Sequence, residues 1–464
     1  MGNTAEVFKF VKMSTIWLFF IFIPVWGAAW IVGIFIPYFL IKDTSNILFD
    51  AFQAIVPILS VLVFIPINAM FMVLFERRGL ALFTVRSGPN RVGPDGLFQT
   101  AADAVKLLFK EDITPKGADL IMFTLAPIIF FAPSVFAAIP LLAAVTNDNQ
   151  LFHIVNLPTG IFYVLAASSV PVVGIVMGGW ASNNKYSLVG GLRSAAQAIS
   201  YEIPLVLSLI SICMMAKSLD VVQIANQQAG GIFDWNIFGG GALRGIDKFI
   251  ALNLTGNHIE AKALFDAAYP AGALSIVAAI VLIVCTIIMF ALYLTGACAE
   301  INRIPFDLPE AESELVSGYN TEYSGIKFAI FFLAEFTNLF IVSSIAVVMF
   351  MGGGGNPIPA WLLDPWWNNF SSTVGPSFDF LTAKGLMLVD EHTLFPALWV
   401  IAKTYAFVFF AVLIRGTLPR FRIDQLMDFG WKRLIPLSLI VFLVMAFARV
   451  LVNVHVGLPV GGVP

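Results

Sequence analysis

The sequence predicts an all-α polytopic membrane protein of about nine transmembrane helices, with a further amphipathic helix on the cytoplasmic face. Three observations carry that prediction. The 464 residues are 59% hydrophobic and only 12% charged, with a mean hydropathy of +0.88, whereas soluble domains carry about 25% charged residues. Apolar runs of about twenty to thirty residues recur along the chain, long enough to cross ~30 Å of hydrocarbon. Basic residues collect on alternate connecting segments, as multi-pass proteins require.

The runs fall at 16–41, 54–75, 119–142, 159–180, 197–216, 271–299, 326–350, 396–414 and 434–452. Pro24, Pro57, Pro66, Pro133, Pro171 and Pro204 interrupt several of them. A packed bundle tolerates such breaks because neighbouring groups satisfy the freed carbonyls. The first run is long for a signal-peptide core and no small-residue cleavage site follows it, so it reads as a retained helix. Lys and Arg number 18 on the face holding the N-terminus and segments 76–118, 181–196, 300–327 and 415–433, against 6 on the other face. That excess makes the first face cytoplasmic and, with an odd number of crossings, puts the C-terminus outside.

Several function classes are excluded. A formal net charge of −3 with scattered basic residues gives no nucleic-acid groove. Cys213, Cys285 and Cys298 stand singly, with no spacing for zinc or an iron–sulfur cluster. The glycine clusters at 239–245 and 352–355 follow no strand–helix pattern and form no nucleotide cradle. No cofactor site is legible in this chain.

The polar segments carry the chemistry. Segment 76–119 opens with ERRGLALFTVRSGPNRVGPDG, where two Gly-Pro turns precede Leu97, Ala101, Ala104, Leu107 and Leu108 at helical spacing, with Asp103, Lys106 and Lys110 between them. That pattern predicts an amphipathic helix in the interface plane. Arg77 and Arg86 flank its approach. Glu202 lies just inside the span that begins near Gln197, roughly 7 Å below the surface at 1.5 Å per residue. Segment 296–336 holds Glu300, Asp307, Glu310, Glu312, Glu314, Glu322 and Glu335 against only Arg303 and Lys327. If 310–314 is helical, Glu310 and Glu314 share a face at about 5–6 Å, and like charges that close cannot all ionise. Glu335 sits about 14 Å into its span, and Lys403 is expected at comparable depth on the helix that returns. A charge at mid-membrane costs at least ~2.5–3.5 kcal/mol and marks an ion or substrate path more often than packing. The competing reading of the loop is a solvated acidic surface that docks a basic partner.

Taken together, ERR, VRSGPNRVGPDG, ADAVKLLFKE, GWASNNKYSL, AQAISYEIP, AEINRIPFDLPEAESELVSGYNTEYS and LPRFRIDQLMDFGWK closely resemble the family of membrane H subunits of respiratory complex I, in order from about residue 54 to 452. The resemblance implies a bacterial inner-membrane subunit without a redox group of its own. It implies that the chain walls a quinone chamber with the peripheral-arm subunits, beside small membrane subunits, and couples quinone reduction to proton translocation. Quinone is then the substrate, and NADH, FMN and the iron–sulfur clusters belong to partner subunits. Motif matching assigns Glu76, Arg77, Arg86, Asp103, Arg303 and Asp307 to the chamber. It assigns Glu202, Glu300, Glu310, Glu312, Glu314, Glu322, Glu335 and Lys403 to the proton relay.

This sequence departs from the family pattern in three places. Thr84 stands where the family has Gln, so the resemblance carries no quinone contact to that position. The family has eight helices, which makes residues 1–53 an extension with an extra helix ahead of a single membrane domain at 54–464. The outer loops 217–270 and 351–395 are long and rich in Gly, Trp and Asn. Two other functions fit less well: the homologous membrane anchor of a hydrogenase or another quinone-reducing complex, and a free-standing ion transporter. The transporter reading calls for inverted repeats and broken helices about a midplane site, which the sequence lacks.

Overall fold

The computed structural model describes residues 47–143, 157–228, 231–240, 273–307, 317–355, 357 and 394–452. The expected first span, 16–41, lies outside them. Among the described residues the chain is all helical, with no strand. The helices are α1 (Ile47–Phe83), α2 (Gln99–Phe109), α3 (Leu120–Ala143), α4 (Gly160–Ser169), α5 (Pro171–Ala181), α6 (Lys185–Ala216), α7 (Val221–Asn226), α8 (Ala273–Glu300), α9 (Gly325–Phe350), α10 (Leu394–Thr417), α11 (Ile423–Phe429) and α12 (Ile435–Leu451). Seven spans among them are long and apolar enough to cross a membrane. The 37-residue α1 covers the expected run at 54–75.

Two helices begin more than about ten residues ahead of their apolar runs. Helix α6 starts at Lys185 because Asn184 caps it, its side-chain oxygen accepting from the Tyr186 N–H at 3.0 Å. The polar stretch that follows remains helical because its small residues face close neighbours. A Cβ at Gly190 would stand 2.7 Å from Gly318 Cα, a small-residue contact of the kind that lets membrane helices approach. Helix α11 likewise runs through a π-turn at Gly430–Leu434 into α12, where the sequence predicts a loop over 415–433.

Helix α9 is the centre of the bundle. It packs against α1, α3 and α10, while α8 packs against α6 and α12. Its second half, from Ile341 to Phe350, is buried throughout, which is why it reads as a continuous apolar run. The expected amphipathic helix is α2. Leu97 is buried at its start, whereas Val105, Leu108 and Phe109 are exposed. The segment after it is fastened to the start of α9: the Ile113 N–H donates to Ser324 Oγ at 2.8 Å, and Lys327 pairs with Asp112 at 2.9 Å.

Candidate functional site

Charged side chains converge where α1, α9 and α10 meet the turn after α8. Arg303 reaches that position through a helix-ending motif. Asn302 takes a left-handed conformation (φ 54°), its N–H donates to Ala299 O, and the Arg303 N–H donates to Cys298 O. This is the 5→2 and 6→1 pattern of a Schellman cap, with Asn in the position that favours Gly. The chain leaves the helix at once, and the Arg303 side chain turns towards α1.

Glu76, near the end of α1, is buried and shared by two cations. Arg303 donates to its two oxygens at 2.5 and 2.6 Å, and Arg415 of α10 pairs with it as well. The Arg303 guanidinium also lies over the Phe336 ring of α9, 4.5 Å from its centroid. Asp307 pairs with Arg420 at 3.0 Å. Next to Glu76, Arg77 pairs with Asp103 of α2 at 2.6 Å and so fixes the amphipathic helix to the bundle.

These groups line a cavity of about 210 Å3 whose wall includes Glu76, Arg77, Arg303, Asp307, Arg415 and, from α9, Phe332, Glu335 and Phe336. The structure therefore brings Glu335 to the same space as four of the six expected chamber residues. Glu335 is nearly buried and accepts a hydrogen bond from the Tyr319 hydroxyl at 2.8 Å. Tyr319 is delivered by the short 317–324 segment, which approaches α6 at the Gly190–Gly318 contact. Tyr323, from that segment, stacks on Phe123 at 4.1 Å. Burial raises its pKa above the ordinary phenol value, so it stays neutral.

The other expected residues are placed separately. Asp103 is drawn in through Arg77 and does not line the cavity. Arg86 is exposed in the loop after α1, outside the cavity. Thr84 is exposed and turns its hydroxyl onto Leu80 O. Glu202 accepts from Ser169 Oγ at 2.6 Å. Glu300 lies one turn beyond Gly296, whose Cβ position faces Tyr201 O and Leu205, so the two acids occupy adjoining turns of α6 and α8. Glu322 accepts from Asn184 Nδ2 at 2.6 Å beside a second, open polar hollow. Glu310, Glu312 and Glu314 lie outside the described residues.

Lys403 departs from its expected depth. Its ammonium donates to the carbonyls of Met351, Gly353 and Gly355 at 2.9, 3.0 and 2.7 Å and lies over the Trp235 ring. Those carbonyls follow the C-terminus of α9, about 24 Å along the axis from Glu335 at 1.5 Å per residue. A long, flexible side chain reaches the nearest dense set of acceptors, and here these are helix-end carbonyls, which favour a cation. Depth counted along a sequence misses that reach.

Sequence reasoning overlooks Arg415 and Arg78. Arg415 counts there only among the cytoplasmic positive charges, although an arginine in the last turn of a span is a signal in itself. Arg78 is buried and donates to Pro89 O at 3.0 Å, which folds the Gly-Pro loop back on α1. Among the described residues no group of three or more His, Cys, Asp or Glu is arranged to hold a metal ion.

Seven spans long and apolar enough to cross a membrane, around a cavity walled by paired arginines and carboxylates, define a polytopic helical membrane protein. The NADH dehydrogenase family matches residues 56–446. The H subunit of NADH-quinone oxidoreductase from Brevibacillus brevis (strain 47) is 39% identical over 369 residues, 80% of this chain and 85% of that protein. The chain belongs to the NADH dehydrogenase family, as an H subunit of NADH-quinone oxidoreductase.

Proposed function

We propose that this chain forms one wall of the quinone chamber of its complex and passes the charge change of quinone reduction into the membrane as proton movement. The observation that carries this reading is the shared cavity. One end offers guanidinium groups from Arg303 and Arg415, suited to a quinone oxygen or its reduced anion, with Phe332 and Phe336 as apolar and aromatic wall. The other end is the Glu335 carboxylate, tied to Tyr319. At about 210 Å3 the cavity is smaller than the roughly 300–1,000 Å3 of most ligand sites. That suits a wall completed by the peripheral-arm subunits, towards which the exposed Arg86 and α2 would face on the cytoplasmic side of the inner membrane.

Reduction of quinone takes up electrons and protons and changes the local charge. A change of charge within about 4–6 Å of a carboxylate moves its proton affinity, so Glu76 and Glu335 are the groups that would respond first. Glu322, Glu300 and Glu202 would extend the path towards α4 and α5, with Glu310, Glu312 and Glu314 leading into it. Residues of this chain thus bind, orient and move protons, while partner subunits supply the redox groups.

The reading is tested with Arg303→Ala in membranes holding the assembled complex. The loss of a charged hydrogen-bond donor should lower quinone-reductase kcat/KM about 10- to 100-fold, while NADH oxidation by ferricyanide stays at its normal rate. An unchanged quinone KM and kcat in the assembled variant would remove the cavity from the quinone path.

A further inference from the structure

Gln197 is 1% exposed and lies on α6, outside the cavity. Its Nε2 stands 2.8 Å from Ala299 O, 2.8 Å from Phe306 O and 3.1 Å from Asn302 Oδ1. Those acceptors mark the beginning, the end and the left-handed corner of the turn that carries Arg303 and immediately precedes Asp307. Its Oε1 has no partner among the described residues, so the side chain's hydrogen bonds there are all donor bonds to that one turn. Asn302 is held from the same helix, its Nδ2 donating to Ser194 Oγ at 3.4 Å.

The turn's other restraints each hold one part of it: Arg303 on Glu76 and Phe336, Asp307 on Arg420, and Phe306 on Phe421. Phe306 packs on Tyr201, one helical turn beyond Gln197, with ring centroids 5.2 Å apart, and Pro305 O accepts the Phe421 N–H at 3.1 Å. Neither fixes both limbs. The Gln197 amide bonds the carbonyls of both Ala299 and Phe306, and so helps to set how far Arg303 projects towards Glu76 and where Asp307 meets Arg420. Five residues along the same helix is Glu202. One buried amide therefore joins the turn bearing the cavity's cation to the helix bearing the deeper acid.

We propose that Gln197 is a positioning residue for the quinone site: it clamps the 299–306 turn to α6 so that Arg303 and Asp307 are presented at the cavity wall. The proposal rests on the quinone reading above. A shift of Arg303 by one hydrogen-bond length weakens both its hold on Glu76 and its approach to a bound quinone. Substrate binding then suffers while the α6–α8 packing persists.

The test uses Gln197→Met, which keeps length and volume without a donor, and Gln197→His, which keeps one N–H near the position of Nε2. Both are assayed as assembled complex in native membranes, normalised to NADH:ferricyanide activity. For Gln197→Met the KM for a short-chain quinone should rise about tenfold, with kcat changing much less, and Gln197→His should fall between it and the parent. A packing role alone predicts fewer assembled complexes with an unchanged KM, and that result overturns the proposal. If Gln197→Met does not assemble, Gln197→His decides alone, since a parental KM in that variant overturns the proposal and a raised one supports it. Arg303→Ala separates the two readings. If it leaves KM unchanged, the cavity is not the quinone site; if it raises KM while Gln197→Met does not, only the clamp is wrong.

Discussion

Cations meet α9 beside Phe336 and beyond its C-terminus, and they are satisfied by different chemistry. At the cavity end Arg303 and Arg415 share the Glu76 carboxylate, with a further acid, Glu335, on the wall. At the far end Lys403 meets three backbone carbonyls and an indole ring, and no carboxylate pairs with it among the described residues. The acceptors there are built by the glycine-rich turn after α9, where Gly352 and Gly353 take positive φ. Gln228 locks that turn, accepting from the Gly352 and Asn236 N–H groups and donating to Val348 and Met349 carbonyls. On the proposed quinone reading, the first is where charge is reapportioned when a neighbour changes. The second is a fixed cap that closes the bundle and folds the described part of the 217–270 loop onto its own helix.

The largest effect is expected at Glu76. Glu76→Ala leaves two guanidinium groups facing each other with their shared counter-charge gone. Removing one partner of a buried pair costs about 3–5 kcal/mol, so most of the assembled complex should be lost. Native gels of solubilised membranes check this, and a parental amount of complex in Glu76→Ala would show that Arg303 and Arg415 are satisfied some other way.

Next comes Glu335→Gln, which preserves volume and keeps an acceptor for Tyr319. The complex should assemble and reduce ferricyanide normally. Quinone-linked turnover and proton uptake into vesicles should fall together by about tenfold or more, the scale of a lost acid–base group. Normal turnover with normal pumping would end the relay role of this carboxylate.

Much of this is legible in the sequence, and the boundary of legibility is physical. The runs at 271–299 and 326–350 begin within two residues of the start of α8 and one residue of the start of α9, because uninterrupted apolar runs leave no other structure in lipid. Glu76, Arg303 and Asp307 are reached through motifs, and Glu335 through its cost in the membrane. Three features escape. The helical start of α6 depends on an Asn cap and on glycines whose partners come from residue 318, which no local pattern reveals. Gln197 is an uncharged residue whose meaning lies in three acceptors about a hundred positions away. Lys403 takes its expected place from the depth of its backbone, while its ammonium follows the acceptors.

The smallest effect is expected at Lys403. Burying an ammonium away from any carboxylate is costly, and the three carbonyls offset that cost. Replacement by Met removes both contributions at once. An unsatisfied buried acceptor costs about 1–3 kcal/mol, but relief of the desolvated charge works in the opposite direction, so the net loss of stability should be no more than about 2 kcal/mol. If the lysine is a cap, the assembled Lys403→Met complex should pump and turn over at parental rates, and only its thermal inactivation should come a few degrees earlier. If the lysine instead exchanges protons with the one acid on α9, Glu335, turnover would fall as it does for Glu335→Gln without any change in inactivation temperature. The geometry favours the first outcome, because the three donor bonds of the ammonium are all spent on carbonyls that cannot take its proton, and Glu335 lies about 24 Å from those carbonyls along the helix.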